Sequence, residues 1–141
     1  MNPIKEVVRN ILRLNGFRCK RVSWYRQIND IVQVINIQKS AWSDLYYINL
    51  GLDFYDTTIL FPQDYDFPPE YKFRVRFRAE EIVQDHDLIE CLDYSVDCPN
   101  RAERILSLTT YCLRFFDHLP TRKDLLKYCN DNCPYLSIDP M

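Results

Sequence analysis

Hydrophobic residues near the N-terminus recur with the spacing of an amphipathic helix. They follow one another at intervals of three or four positions: Ile4, Val7, Val8, Ile11 and Leu14. Asn2 and Pro3 suit the N-cap and the first helical position, and Gly16 suits a left-handed stop. The pattern predicts one helix from Pro3 to about Leu14.

The hydrophobic period changes to that of β-strands after this helix. A first strand is predicted within residues 17–26, a turn at residues 27–30, and a second strand over residues 31–38, which are rich in Ile and Val. A third strand is predicted over residues 45–54, because its even positions are apolar and its odd positions are mostly polar. The short connections favour an antiparallel meander.

The most regular alternation in the chain lies at residues 71–78. One side of this predicted strand is apolar: Tyr71, Phe73, Val75 and Phe77. The other side is cationic: Lys72, Arg74, Arg76 and Arg78. We expect helices to cover the apolar side and the cationic side to lie on an open sheet face. Between this strand and the third one, residues 55–70 are predicted to be a long loop, with one short strand at residues 57–61.

The last third of the chain has a helical pattern. Residues 80–97 are acidic and are compatible with either short helices or short strands. Asn100 and Glu103 resemble a capping box for a helix that ends near Pro120, and Thr121 begins a shorter helix. We therefore predict a single α+β domain over residues 1–141. It has an N-terminal helix, an antiparallel sheet of four or five strands, and two C-terminal helices packed on one face.

The composition narrows the range of functions. Only 2 of the 141 residues are glycine, so neither a P-loop nor a dinucleotide-binding fingerprint can be built. The formal net charge of -2 disfavours a nucleic-acid binder that relies on bulk positive charge. No apolar run has the length of a signal peptide or a membrane span, so we expect a cytoplasmic protein without a membrane contact and with its 6 cysteines reduced.

Groups with catalytic or metal-binding potential are few and scattered. The two histidines, His86 and His118, fall in an acidic segment and near a predicted helix end. Cys129 and Cys133 are four positions apart, but the paired Cys-x-x-Cys spacing of structural zinc sites is absent from the sequence. We assign no catalytic residue, no metal ligand and no cofactor; a Cys-His pair remains an alternative.

The cationic strand is the main candidate for a partner-binding surface. Arginine and tyrosine are enriched at protein contacts, and the same mixture can bind single-stranded RNA. Alternatively, the cations protect a sheet edge against aggregation. A further polar cluster, at the end of the second strand, either binds a ligand or satisfies the loop backbone. The candidate contact residues are Arg74, Arg76, Arg78, Tyr47, Asn49, Asp53, Gln38 and Trp42.

Several short strings stand out along the chain: Asn15-Gly16-Phe17, Trp24-Tyr25-Arg26, a strand that ends in Gln38-Lys39-Ser40, and Tyr47-Ile48-Asn49-Leu50-Gly51. Together they resemble the bacterial domain of unknown function 4304 family. The Arg76-x-Arg78 strand and the final helices are also similar to that family. The resemblance implies a small α+β domain and, by itself, no activity.

The sequence favours non-enzymatic binding of another macromolecule. Its most concrete form is an immunity protein that neutralises a cognate bacterial toxin, whose cationic site would meet the carboxylates of residues 80–97. The alternatives are an RNA- or nucleotide-associated module that uses Arg74, Arg76 and Arg78, and an enzyme of unfamiliar design.

Overall fold

The fold is a five-stranded antiparallel sheet with helices packed on one face. The computed structural model describes residues 3–54 and 70–132. The strand order is β1-β2-β3-β4-β5, so each strand pairs with its neighbour along the chain. The strands are β1 (Arg18–Lys20), β2 (Ser23–Ile28), β3 (Ile31–Lys39), β4 (Tyr46–Phe54) and β5 (Val75–Arg78). The predicted α+β class and the meander are confirmed.

The N-terminal helix α1 (Pro3–Leu14) has the predicted bounds. It buries Ile4, Val8 and Leu12, which lie one turn apart on one face of the helix and join the main core. Gly16 follows with a φ of 84°, a left-handed conformation that carries no steric cost for glycine. The chain can therefore reverse into the sheet directly after the helix.

The first predicted strand is wrong in one respect, because residues 17–28 contain two strands, and the second of them extends through the start of the predicted turn to Ile28. A tight reversal at Arg21, whose φ is 59°, separates β1 from β2. A left-handed arginine is uncommon, and no glycine or asparagine stands here to mark the turn in the sequence. The next reversal is at Asn29, with a φ of 52°, where asparagine tolerates that conformation.

The core lies between the helices and one sheet face. The register places Trp24 beside Ile35, Ile35 beside Leu50, and Leu50 beside Phe77 in one apolar row across four strands. The even positions of β4 lie on this helix-covered face, as predicted. Helix α4 (Arg101–Asp117) covers the row with four of its buried side chains: Ile105, Leu108, Cys112 and Phe116.

The predicted strand at residues 71–78 is half wrong. Only Val75–Arg78 is extended, and Glu70–Lys72 forms a 3-10 turn instead. Phe73 does not share a face with Val75 and Phe77; it packs on the opposite face with Tyr25 and Val34. The physical reason is a depression at Gly51, over which the aromatic ring of Phe73 fits.

The acidic segment forms short helical pieces, which settles the choice left open by the sequence. They are α2 (Ala79–Ile82), α3 (His86–Ile89) and a 3-10 turn at Glu90–Leu92. The capping box at Asn100 is wrong, because this residue adopts a left-handed conformation without a side-chain cap bond. Helix α5 (Arg122–Asn132) begins as predicted, with the Thr121 hydroxyl accepting from the Asp124 backbone N–H at 3.2 Å. The predicted strand at residues 57–61 and Cys133 lie outside the described residues.

Candidate partner-binding surface

The strand register brings most of the candidate contact residues to the sheet face opposite the helices, which we call the second face. Asn49 lies opposite Arg78, and Gly51 lies opposite Arg76. Tyr47 lies opposite Gln38 on the neighbouring strand. The juxtaposition of tyrosine, asparagine and arginine on one face therefore follows from the strand pairing.

The centre of the second face is covered, contrary to the expectation of an open sheet. Tyr25, Val32 and Val34 are buried in a small cluster with Phe73. The rings of Tyr25 and Phe73 are 6.2 Å apart between centroids. Because β5 begins only at Val75, the preceding chain is free to fold Phe73 back over the sheet. The accessible part of the face is restricted to its margins.

Arg74 is engaged within the chain. Its Nε and Nη2 donate to Asp53 Oδ1 at 2.8 and 2.7 Å, and its backbone N–H donates to Asp53 Oδ2 at 3.2 Å. The guanidinium also lies 5.0 Å from the ring centroid of Phe54. The side chain remains partly exposed, so this is a surface ion pair and not a buried one. Asp53 thus offsets the charge of Arg74.

Arg76 and Arg78 differ in their surroundings. Arg76 is exposed, and its Nη1 donates to the Tyr71 carbonyl at 2.9 Å, which fixes the preceding 3-10 turn. Arg78 is half-buried, and its guanidinium lies 4.0 Å from the ring centroid of Tyr47. This stacking holds the planar guanidinium against the Tyr47 ring.

A chain of side-chain hydrogen bonds crosses the second face from Asn49, the residue opposite Arg78, toward β2. Asn49 Nδ2 donates to Asn36 Oδ1 and to Gln38 Oε1, both at 3.0 Å, and Asn36 Nδ2 donates to Ser23 Oγ at 2.8 Å. Asn49 is only 7% exposed. It therefore positions Gln38 and is not itself an accessible contact.

Among the described residues, Trp42 is the most exposed large hydrophobic side chain, at 94%. It lies in the connection between β3 and β4, which is cross-braced: Ser40 Oγ accepts from the Trp42 backbone N–H at 3.1 Å. Lys39 Nζ donates to the carbonyls of Ser40 and Ser43 at 3.4 and 3.2 Å. The loop is held by its own polar groups while the indole projects into solvent.

A second loop, at the end of the acidic segment 80–97, lies against the Trp42 loop. Leu45 forms a β-bridge with Asp93, and the Tyr94 backbone N–H donates to the Asp44 carbonyl at 3.0 Å. Arg101 supports this second loop by donating to the carbonyls of Cys91 and Asp93 at 3.0 and 2.9 Å. Arg101 also lies 4.1 Å from the ring centroid of Tyr94. No local sequence pattern predicts a contact between loops some 50 positions apart. Val96, in the second loop, is an exposed hydrophobic residue.

The Trp42 loop, the second loop and the Arg78–Tyr47 stack lie at one end of the sheet. Because β5 is antiparallel to β4, Arg78 and the acidic segment that follows it lie at the same end as the connection between β3 and β4. We call this region the hairpin end and define it by Gln38, Trp42, Asp44, Tyr47, Arg78 and Val96. Of the candidate residues, Gln38, Trp42, Tyr47 and Arg78 belong to it, whereas Asn49, Asp53, Arg74 and Arg76 do not.

Two of the described thiols are held in the protonated form by burial. Burial raises the pKa of both Cys91 and Cys112 to about 12, with Cys98 adding to the effect at Cys91. These two groups are therefore protonated thiols at neutral pH. Within residues 3–54 and 70–132, no three His, Cys, Asp or Glu side chains are grouped to hold a metal ion. The described helices include none with the length and apolarity of a membrane span.

The geometry defines a small α+β domain that combines a meander sheet, one helical layer and a polar and aromatic surface at one sheet end. A family model described as Domain of unknown function (DUF4304) matches residues 8–118. The chain belongs to this family, which confirms the resemblance found in the sequence. No curated protein and no solved structure matches the chain.

Proposed function

We propose that this protein binds another protein without catalysis and that the hairpin end makes the contact. The observation that carries this proposal is Trp42, an almost fully exposed tryptophan on a loop braced by its own hydrogen bonds. Exposing an indole to water is unfavourable, and covering it with a partner removes that cost. The most concrete form of the proposal is an immunity protein that neutralises a toxin.

The residue types at the hairpin end support a protein partner. Tryptophan, tyrosine and arginine supply much of the energy of protein interfaces, and Trp42, Tyr47 and Arg78 occupy this one region. Arg78 is already stacked on Tyr47, so little side-chain entropy is lost when a partner contacts the pair. A preorganised surface of this kind suits tight and specific binding.

An RNA partner has less support from the same contacts. Arg74 is paired with Asp53, and Arg76 is bonded to the Tyr71 carbonyl. Of the three arginines that the sequence offered for RNA, only Arg78 belongs to the hairpin end. The exposed carboxylates of Asp44 and Asp97 belong to the two loops that meet at that end, and they would repel a phosphate backbone.

Co-purification from the native cell, followed by a neutralisation assay, tests the proposal. We expect one protein to be recovered with the tagged chain, to be toxic when expressed alone, and to be harmless when this chain is co-expressed. Trp42→Ala should abolish the protection, whereas Tyr111→Ala, at an exposed aromatic residue of α4, should preserve it. Recovery of mainly RNA, or equal protection by both variants, would contradict the proposal.

A further inference from the structure

We infer that the hairpin end receives a cationic segment of the partner, with one lysine or arginine side chain seated over the indole of Trp42. This inference rests on the proposed function and adds the chemistry of the partner. It follows from two separate features of the described residues: how the chain uses its other aromatic rings, and how charge is distributed around Trp42.

Arginine stacking on aromatic rings recurs through the described part of the chain. Five such contacts lie between 4.0 and 5.0 Å, measured from the guanidinium carbon to the ring centroid: Arg26 on Phe17, Arg74 on Phe54, Arg78 on Tyr47, Arg101 on Tyr94 and Arg122 on Phe54. Tryptophan binds a cation more strongly than phenylalanine or tyrosine does. Yet within residues 3–54 and 70–132 no cation lies over Trp42, and the nearby Lys39 is turned toward the loop carbonyls. The ring best suited to a cation is thus left open to solvent.

Exposed carboxylates lie on both of the loops that meet here, where the cations Lys39 and Arg101 donate to loop carbonyls. Asp44 is exposed, two positions after Trp42. Its backbone carbonyl accepts a hydrogen bond from Tyr94, which belongs to the loop that also carries Val96 and Asp97. Residues 80–97 contain seven aspartate and glutamate residues and neither lysine nor arginine. Three of these carboxylates accept local backbone hydrogen bonds, namely those of Glu81, Asp85 and Asp93. The other four belong to exposed residues: Glu80, Asp87, Glu90 and Asp97.

A cation at Trp42 would therefore gain from the ring and from the carboxylates together. The aromatic face supplies a directional contact, and the carboxylates raise the rate of encounter with a positively charged partner. An anionic segment in the same place would be repelled by the exposed carboxylates of Asp44 and Asp97. The hairpin end is consequently matched to a lysine- or arginine-rich segment.

Amide and indole resonances of the isolated protein, followed during titration with three short probes, test this inference. The probes are hexa-arginine, hexa-glutamate and hexa-uridylate. We expect hexa-arginine to shift the Trp42 indole N–H together with backbone amides of residues 43–45 and 93–97. Trp42→Ala and the pair Asp44→Asn/Asp97→Asn should each weaken this binding about two- to fivefold, as contacts of this size are worth roughly 0.5–1 kcal/mol.

The control variant Glu6→Gln/Glu103→Gln removes two exposed carboxylates from helices α1 and α4 and should leave the affinity unchanged. Localised binding of hexa-glutamate or hexa-uridylate at the hairpin end would overturn the inference. Three further results would also overturn it. They are hexa-arginine shifts spread evenly over the surface, an equal loss of affinity in both carboxylate-pair variants, and no localised binding of any probe. If those results appeared while neutralisation still depended on Trp42, only the cationic nature of the partner would be rejected.

Discussion

Gly51 lies directly beneath Phe73 on the second face of the sheet. A β-carbon built on this glycine would stand 2.6 Å from Val34 Cγ1 and 3.1 Å from both Cβ and Cγ of Phe73. The requirement for glycine here is one of space, since the left-handed backbone conformation is found at Gly16 and not at Gly51. This contact explains why the second face is covered at its centre.

Gly51→Ala should destabilise the fold by about 1–3 kcal/mol, the usual cost of overpacking a filled site. The measurement is the free energy of unfolding in urea. Because Val34 makes the closest approach, Val34→Ala should relieve part of the clash, and the double variant should lose less stability than the sum of the two single variants. Additive losses, or a stable Gly51→Ala protein, would show that Phe73 does not sit closely over the sheet.

Arg26 and Gln33 form a polar contact on the helix-covered face. Arg26 Nε and Nη2 both donate to Gln33 Oε1, at 2.9 and 2.7 Å, and Gln33 is 1% exposed. Arg26→Met leaves that acceptor without its donors and should cost about 1–3 kcal/mol of unfolding free energy. Replacing both residues by methionine should recover part of the loss. The exposed Arg13→Met is the control and should change stability by less than about 0.5 kcal/mol; a loss equal to that of Arg26→Met would refute the role of the contact.

The buried thiol of Cys112 predicts a loss of stability at alkaline pH. Burial raises the pKa of Cys112 in the folded chain from about 9 to about 12. The folded state therefore favours the protonated thiol, so this contribution is complete below pH 9 and is lost as the pH rises toward 12. The expected slope is about 1.4 kcal/mol per pH unit for one such thiol.

Chemical denaturation between pH 8 and pH 11 measures this loss. Cys112→Ala should show a shallower fall in unfolding free energy than the unaltered chain, although it starts from a lower stability. Ser107→Ala, at an exposed and non-titrating position of the same helix, should leave the slope unchanged. Parallel curves for Cys112→Ala and the unaltered chain would contradict the burial of the thiol.

The two tryptophans should respond oppositely to a solvent quencher. Trp24 is buried and Trp42 is exposed, so acrylamide should quench the emission of Trp24→Phe, which retains Trp42, as it quenches free tryptophan. The emission of Trp42→Phe should be protected. Trp42→Ala should also change the free energy of unfolding by less than about 0.5 kcal/mol, because its side chain contributes little to the core. Protected emission from Trp42 would mean that the loop folds over its indole.

Hydrophobic periodicity was sufficient to predict the three long helices, α1, α4 and α5, and the central strands. Residues 31–38 and 45–54 are long and strongly patterned, and their bounds in the structure differ by one residue at one end. The reversal at Arg21 was missed because its left-handed conformation is held by the flanking strands and not by local turn chemistry. Local patterns alone specify long elements better than short ones.

The candidate site was predictable only where strand pairing decides it. Tyr47, Asn49 and Arg78 share a face because alternate residues of paired strands must do so. The position of Phe73 on that face was not predictable from the sequence. It depends on the space that Gly51 leaves on β4, a strand that lies distant from Phe73 along the chain. The loop contact between Asp44 and Tyr94 is likewise tertiary.

Photo-crosslinking in the native cell tests the contact surface most directly, with a photoreactive phenylalanine derivative placed at position 42 or, as the matched control, at position 111. We predict that one protein is crosslinked from position 42 and is absent from position 111, since only the first position lies at the hairpin end. The same set of products from both positions, or nucleic acid alone from position 42, would contradict the account.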